Sequence, residues 1–146
     1  MPIGLLSKNP DRLVGGADIK VVREVFEAFA ARDIERIIAL ADPAIVFTAV
    51  TGGVVGRAEP YRGHEGLREY FRDMAEVWDE LVLKPREFRQ VGDSVLVTGR
   101  VSARSPARVV SGSTGWVWRV RDGRVVYGHV YQSAADAVAA VEGRTD

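Results

Sequence analysis

Cysteine is absent from this 146-residue chain, which excludes disulfides, zinc–thiolate centres and thiol nucleophiles. The absence fits a reducing compartment, so a cytoplasmic location is expected. Histidine is nearly absent too. Two residues, His64 and His129, fall on separate elements without organised carboxylates, so no metal site is expected and no cofactor motif is present. An excess of one charge is also missing, because 20 Lys and Arg balance 20 Asp and Glu. A nucleic-acid or anionic-membrane binder normally carries a basic surplus, so neither partner is expected. No apolar run is long enough to span a membrane. The opening M-P-I-G-L-L-S-K-N-P lacks the charged start and long apolar stretch of a signal peptide.

What is present reads as one domain. The length suffices for a real core. Residues 1–17 read as an N-terminal arm and 18–146 as the domain. Asp18 is a plausible N-cap, followed by Val22, Val25, Phe26 and Phe29 at helical spacing. A break at Arg32-Asp33 precedes a short helix with Ile34, Ile37 and Ile38 inward, which Asp42-Pro43 ends. Ile45 to Val50 reads as a strand, and the glycine-rich stretch from Thr51 to Gly63 as a loop. A third helix runs from about His64 to Trp78, with Leu67, Tyr70, Phe71, Met74, Val77 and Trp78 on its apolar side. Leu81 to Val91 is a strand in which Pro85 marks an edge or a bulge. Further strands follow from Ser94 to Arg104, Val109 to Arg121 and Arg124 to Gln132, then a short helix. Helices first and an antiparallel meander after them make an α+β pattern.

The last hairpin is the most informative segment. Asp122-Gly123 is a strong two-residue turn signal. Regular pairing from Arg121 and Arg124 sets Trp118 opposite Tyr127 and Trp116 opposite His129. One face then carries Trp116, Trp118, Tyr127, His129 and Tyr131, and the other Arg119, Gly128, Val130 and Gln132. Both faces hold apolar residues, so helices must cover one side and something else the other. A second subunit is the economical answer, and a homodimer is expected.

Three segments, F-E-A-F-A-A-R-D-I-E-R-I-I-A-L-A-D-P-A-I-V-F, Y-R-G-H-E-G-L-R-E-Y-F and W-R-V-R-D-G-R-V-V-Y-G-H-V-Y, resemble the nuclear transport factor 2-like superfamily and its SnoaL-like branch. That branch includes polyketide cyclases, ketosteroid isomerase and limonene epoxide hydrolase. The resemblance spans roughly Asp18 to Glu142. It implies a cystatin-like cone, a curved antiparallel sheet wrapped around N-terminal helices, with an apolar pocket inside and dimers formed through the sheet. It implies little about chemistry, since the fold hosts many functions.

The known catalytic sets transfer poorly. Thr48 and Val25 stand near the isomerase's general-base Asp and hydrogen-bonding Tyr, and Trp116 or Val117 near its second Asp. The resemblance to the hydrolase puts Arg100 at its Arg, with Ser102 and Val130 in place of its two Asp. The same alignment turns the Arg119, Gly128, Val130 and Gln132 face into the cone, and alternation brings Thr98, Arg100 and Ser102 to it. With Thr48 added, the pocket candidates are Thr48, Arg100, Ser102, Arg119, Gly128 and Gln132. Arg100 and Arg119 could hold an anionic or developing negative charge. Alternatively they pair with acids such as Glu27 or Glu76, or sit at the rim. Gly128 either widens the pocket or marks a bulge or close packing. Trp116, Trp118, Tyr127, His129 and Tyr131 then form the dimer contact, or line the pocket if the register slips by one residue. His64, at a helix start, reads as a positioning residue. The Thr51-to-Gly56 stretch lacks the Lys-Ser/Thr of a phosphate loop. The expected function is binding of a small apolar or weakly anionic molecule, with isomerase, cyclase or hydrolase chemistry if the protein is an enzyme. The alternative is a non-catalytic binding or dimerisation module whose pocket its own side chains fill.

Overall fold

Helix α1 (Pro10–Ala30) begins eight residues ahead of Asp18 in this computed structural model, which describes residues 10–49 and 59–143. A proline in the first helical turn loses no hydrogen bond, so Pro10 can open the helix. Most of the expected N-terminal arm, and the Thr51-to-Gly56 stretch, lie outside the described residues. After a tight turn, Asp33 caps α2 (Ile34–Leu40) by accepting a hydrogen bond from the Arg36 amide at 3.1 Å. The chain then enters β1 (Ala41–Thr48), β2 (Tyr61–Arg62) and α3 (Gly63–Val77). Strands β3 (Glu80–Val91), β4 (Ser94–Arg104), β5 (Val109–Arg121) and β6 (Arg124–Tyr131) follow, and α4 (Ala134–Gly143) closes the described chain.

The α+β cone architecture is as expected, with two differences in the strands. Strand β1 starts at Ala41, not Ile45, and runs through Asp42-Pro43. Proline fits there because pairing with β6 slips between Ala41 and Val46, so no ladder bond is required of it. The sheet order is β2-β1-β6-β5-β4-β3. Its neighbours are antiparallel except β1 and β6, which run parallel. The sheet is therefore mixed, because β1 joins β6 across the whole length of the intervening chain and not through a hairpin. Strand β3 is an edge strand with a register shift between Pro85 and Glu87, so the proline marks both features foreseen for it.

Two apolar layers sandwich the sheet. On the inner side, Val22, Phe26 and Phe29 of α1, Ile37 of α2 and Leu67, Tyr70 and Met74 of α3 pack against Phe47, Val95, Val97, Trp116, Trp118 and Val125. Full burial of each such large side chain stabilises the fold by about 1.5–3 kcal/mol. On the outer side, Leu96 and Val117 are covered by Ala137 and Val141 of α4. The chain's own last helix thus covers part of the outer apolar surface. No described helix is long and apolar enough to cross a membrane.

Candidate functional site

Placement of the site turns on one residue in β6. The Asp122-Gly123 turn has positive φ at both positions, 53° and 78°, as a type I′ turn requires. Arg121 pairs with Arg124 and Val120 with Val125, in line with the expected hairpin. The next pair is Arg119 with Tyr127, so Val126 is an extra residue, a β-bulge. Beyond it every partner moves by one: Trp118 lies opposite Gly128, Trp116 opposite Val130 and Val117 opposite His129. A one-residue shift exchanges faces, so each expected set of side chains is split.

The inner face holds Trp116, Trp118, Val125, Gly128 and Val130, with Val95 and Val97 of β4 beside them. Gly128 is there for close approach. A Cβ on it would lie 2.7 Å from Trp118 Cζ3 and 2.9 Å from Phe47 Cδ1. It is therefore a seat for the indole and not a widening of the pocket. Phe47 lies nearly parallel to Trp118 at 6.0 Å and 18° between planes, and Phe26 meets Trp116 edge-on at 4.9 Å.

These rings line a cavity with Phe29, Leu67, Tyr70, Phe71 and Leu83. Among the described residues, every lining residue is apolar or aromatic, and Tyr70 is the one titratable group. Burial raises the Tyr70 phenol above its usual value of 10, with the neighbouring Tyr61 adding to the shift. At neutral pH it is an un-ionised hydroxyl. The space able to admit water centres is about 50 Å³, on the order of a few water molecules. Phe29 and Phe71, with ring centroids 5.7 Å apart, also border a larger outer groove of about 680 Å³. They form a wall shared by the two spaces. Arg32 braces that wall, with its guanidinium 4.5 Å over the Phe29 ring and hydrogen bonds to the Phe29 and Leu81 carbonyls.

Of the six pocket candidates, only Gly128 faces inward. Arg100 and Ser102 are exposed, opposite Lys84 and Val82 of the edge strand. They alternate with the inward Val95 and Val97 and so point outward. Thr48 and Gln132 border a shallow outer hollow with His129, Tyr131 and Asp136. Arg119 also lies outside, with its guanidinium 4.8 Å over the Tyr127 ring and its Nε buried without a partner. Neither suggested acid pairs with it or with Arg100 among the described residues, and Glu27 binds Arg36 instead at 3.3 Å.

The aromatic set divides the same way. Trp116 and Trp118 line the cavity, whereas Tyr127, His129 and Tyr131 make a partly exposed outer row. The Tyr127 hydroxyl lies 3.2 Å from His129 Nδ1, and the imidazole stacks on Tyr131 at 4.1 Å. Partial burial lowers the His129 pKa below its usual value. His64 has the expected positioning role, with its Nε2 donating to the Ala41 carbonyl at 2.8 Å and tying α3 to β1. No group of three possible metal ligands occurs among the described residues. The sequence reading left Phe47, Tyr70, Phe71 and Leu83 out of the site. The apolar side of α3 signalled the two on that helix, but it could not tell cavity wall from ordinary core.

The SnoaL-like domain profile matches residues 22–128, well over half of the chain. The protein belongs to the SnoaL-like domain family. Among solved structures, this SnoaL-like domain is similar to an NTF2-like protein of unknown function from Burkholderia pseudomallei K96243. The two share 24% identity over 86% of this chain and 97% of that one, with a TM-score of 0.72. It is also similar to TerC, co-crystallised with polyporic acid, at 25% identity over 86% and 98% of the two chains and a TM-score of 0.72. An NTF2-like protein from Burkholderia thailandensis E264 shares 26% identity over 85% and 95%, with a TM-score of 0.70. No match was found among curated proteins.

Proposed function

We propose that this SnoaL-like domain binds a small, apolar, uncharged molecule inside the cone. The observation that carries this reading is the lining itself. It is apolar throughout, while Arg100 and Arg119 lie on the other face of the sheet. An anionic head group would lose its hydration in the cavity and find no cation there. The similar structure of TerC, co-crystallised with polyporic acid, supports a ligand-binding role for this kind of cone. Entry of a ligand larger than a few waters requires movement of the Phe29–Phe71 wall, beside which the outer groove already lies open. For isomerase, cyclase or hydrolase chemistry, the Tyr70 hydroxyl is a lining group able to donate to a developing oxyanion.

A second reading rests on the small free volume. With only about 50 Å³ open, the cone is filled by its own side chains and the domain serves association alone. Thermal shift against a library of neutral aromatic and alicyclic compounds separates the two. A ligand at 100 times its dissociation constant adds about 2.7 kcal/mol, a rise of several degrees. No shift across such a library would remove the binding reading.

We also propose that two copies associate through the outer face of β4–β6. There Arg119, Tyr127, His129 and Tyr131 remain partly exposed beside α4, and aromatic residues and arginine are enriched at such contacts. Sedimentation should show a dimer at micromolar concentration, and a monomer would refute the proposal.

A further inference from the structure

Among the described residues, three buried side-chain atoms lack a hydrogen-bond partner: Gln90 Oε1, Trp118 Nε1 and Arg119 Nε. Arg119 lies on the outer face, and Gln90 does not line the cavity. Trp118 does line it, and the residue is 6% exposed. Buried donors are almost always paired, so an unpaired one in the wall of a cavity calls for a reason.

The indole is firmly held. Its Cε3–Cζ3 edge rests on Gly128, Phe47 lies parallel to it, and Phe26 meets it edge-on at 84°. Its N–H therefore sits on the ring edge away from Gly128, as a firmly held donor within an apolar wall. A fixed donor with no partner is suited to a ligand oxygen that reaches it when the cavity is occupied. The acceptor must be uncharged, because nothing in the lining would neutralise a carboxylate.

Building on the binding reading above, we infer that Trp118 Nε1–H is the polar anchor of the cavity. Its ligand is a flat, apolar, neutral molecule carrying one carbonyl-type acceptor, such as an aryl ketone. The contact is a hydrogen bond only and no bond is made or broken. Its value to binding is large for a neutral pair, because it also relieves a donor left unsatisfied in the empty protein.

The test is a pair of probes alike in size, 2-acetylnaphthalene and 2-ethylnaphthalene, titrated calorimetrically into the wild type and Trp118→Phe. The wild type should bind the ketone roughly 5- to 20-fold more tightly than the hydrocarbon, and in Trp118→Phe that ratio should fall to about one. Equal binding of the two probes by the wild type overturns the inference while leaving the cavity as a binding site. A ketone preference that survives in Trp118→Phe also overturns it, by placing the donor elsewhere. Binding of neither probe overturns the cavity reading and the anchor with it. Should Trp118→Phe fail to fold, ¹⁵N-labelled wild-type protein still decides. The Trp118 indole proton should move downfield with the ketone and not with the hydrocarbon, and an identical response to both refutes the anchor.

Discussion

The two faces of one sheet in this protein are made of similar residue types but do opposite things. The inner face of β4–β6 presents Val95, Val97, Trp116, Trp118 and Val130 to three helices, and no charge enters among the described residues. The outer face mixes Leu96 and Val117, sealed under α4, with Arg100, Arg119 and the Tyr127–His129–Tyr131 row, which remain in contact with water. Both faces carry aromatic rings, so aromatic content alone does not identify the pocket. The presence or absence of charge does. A cavity of this kind selects by shape and by the few polar atoms that its apolar wall admits.

The contrast should be sharpest in stability. Trp116→Ala removes a residue that is 2% exposed and packed edge-on against Phe26, and should cost about 3–5 kcal/mol. Arg100→Ala on the outer face should stay within about 0.5 kcal/mol of wild type. Chemical denaturation of the two variants compares the faces directly, and equal losses would erase the distinction.

Two glycines sharpen it further. Gly128→Ala forces a methyl into Trp118 and Phe47 and should destabilise by about 1–3 kcal/mol. Gly112→Ala on β5 meets nothing within 4 Å and should be neutral within about 0.5 kcal/mol. If Gly128→Ala were as harmless as Gly112→Ala in thermal unfolding, the bulge-set register would be wrong.

The smallest expected effect is a pH dependence on the outer face. Burial lowers the His129 pKa in the folded state, so the unfolded chain takes up the proton first as the pH falls. The contribution of neutral His129 is complete above the unfolded value of about 6.5 and is lost as the pH drops through the lower folded value. Stability should therefore decline slightly over that interval in the wild type, with a shallower decline in His129→Asn. Parallel profiles would remove His129 as the cause.

Much of the fold was legible because helical spacing and turn chemistry are local signals. The Arg32-Asp33 break, the α3 apolar stripe, the proline of β3 and the Asp122-Gly123 turn all act within a few residues. By contrast, Asp18, read as a cap, lies inside α1, and the cap at Asp33 was not foreseen. The faces of the last hairpin were not legible beyond Val125. A β-bulge is an unpaired residue, and V-V-Y reads as uninterrupted alternation whether or not Val126 is paired. Counting through it put Arg119 on the face of Gly128 and made Trp118 a neighbour of Tyr127, while Gln132 lies past the end of β6, where strand alternation no longer holds. The parallel pairing of β1 with β6 and the covering role of α4 depend on distant contacts that no local pattern carries. Of the two roles open to Gly128, widening of the pocket and close packing, the structure has close packing, since the residue seats an indole.

The measurement that tests the account most directly is a titration of ¹⁵N-labelled protein with 2-ethylnaphthalene, read at the three indole N–H resonances. Trp116 and Trp118 line the cavity, and Trp78 borders the outer groove. The account predicts saturable movement of Trp116 and Trp118 together, larger than that of Trp78 and unchanged in Arg119→Ala. Movement of Trp78 alone, or loss of binding in Arg119→Ala, would place the ligand outside the cone and contradict it.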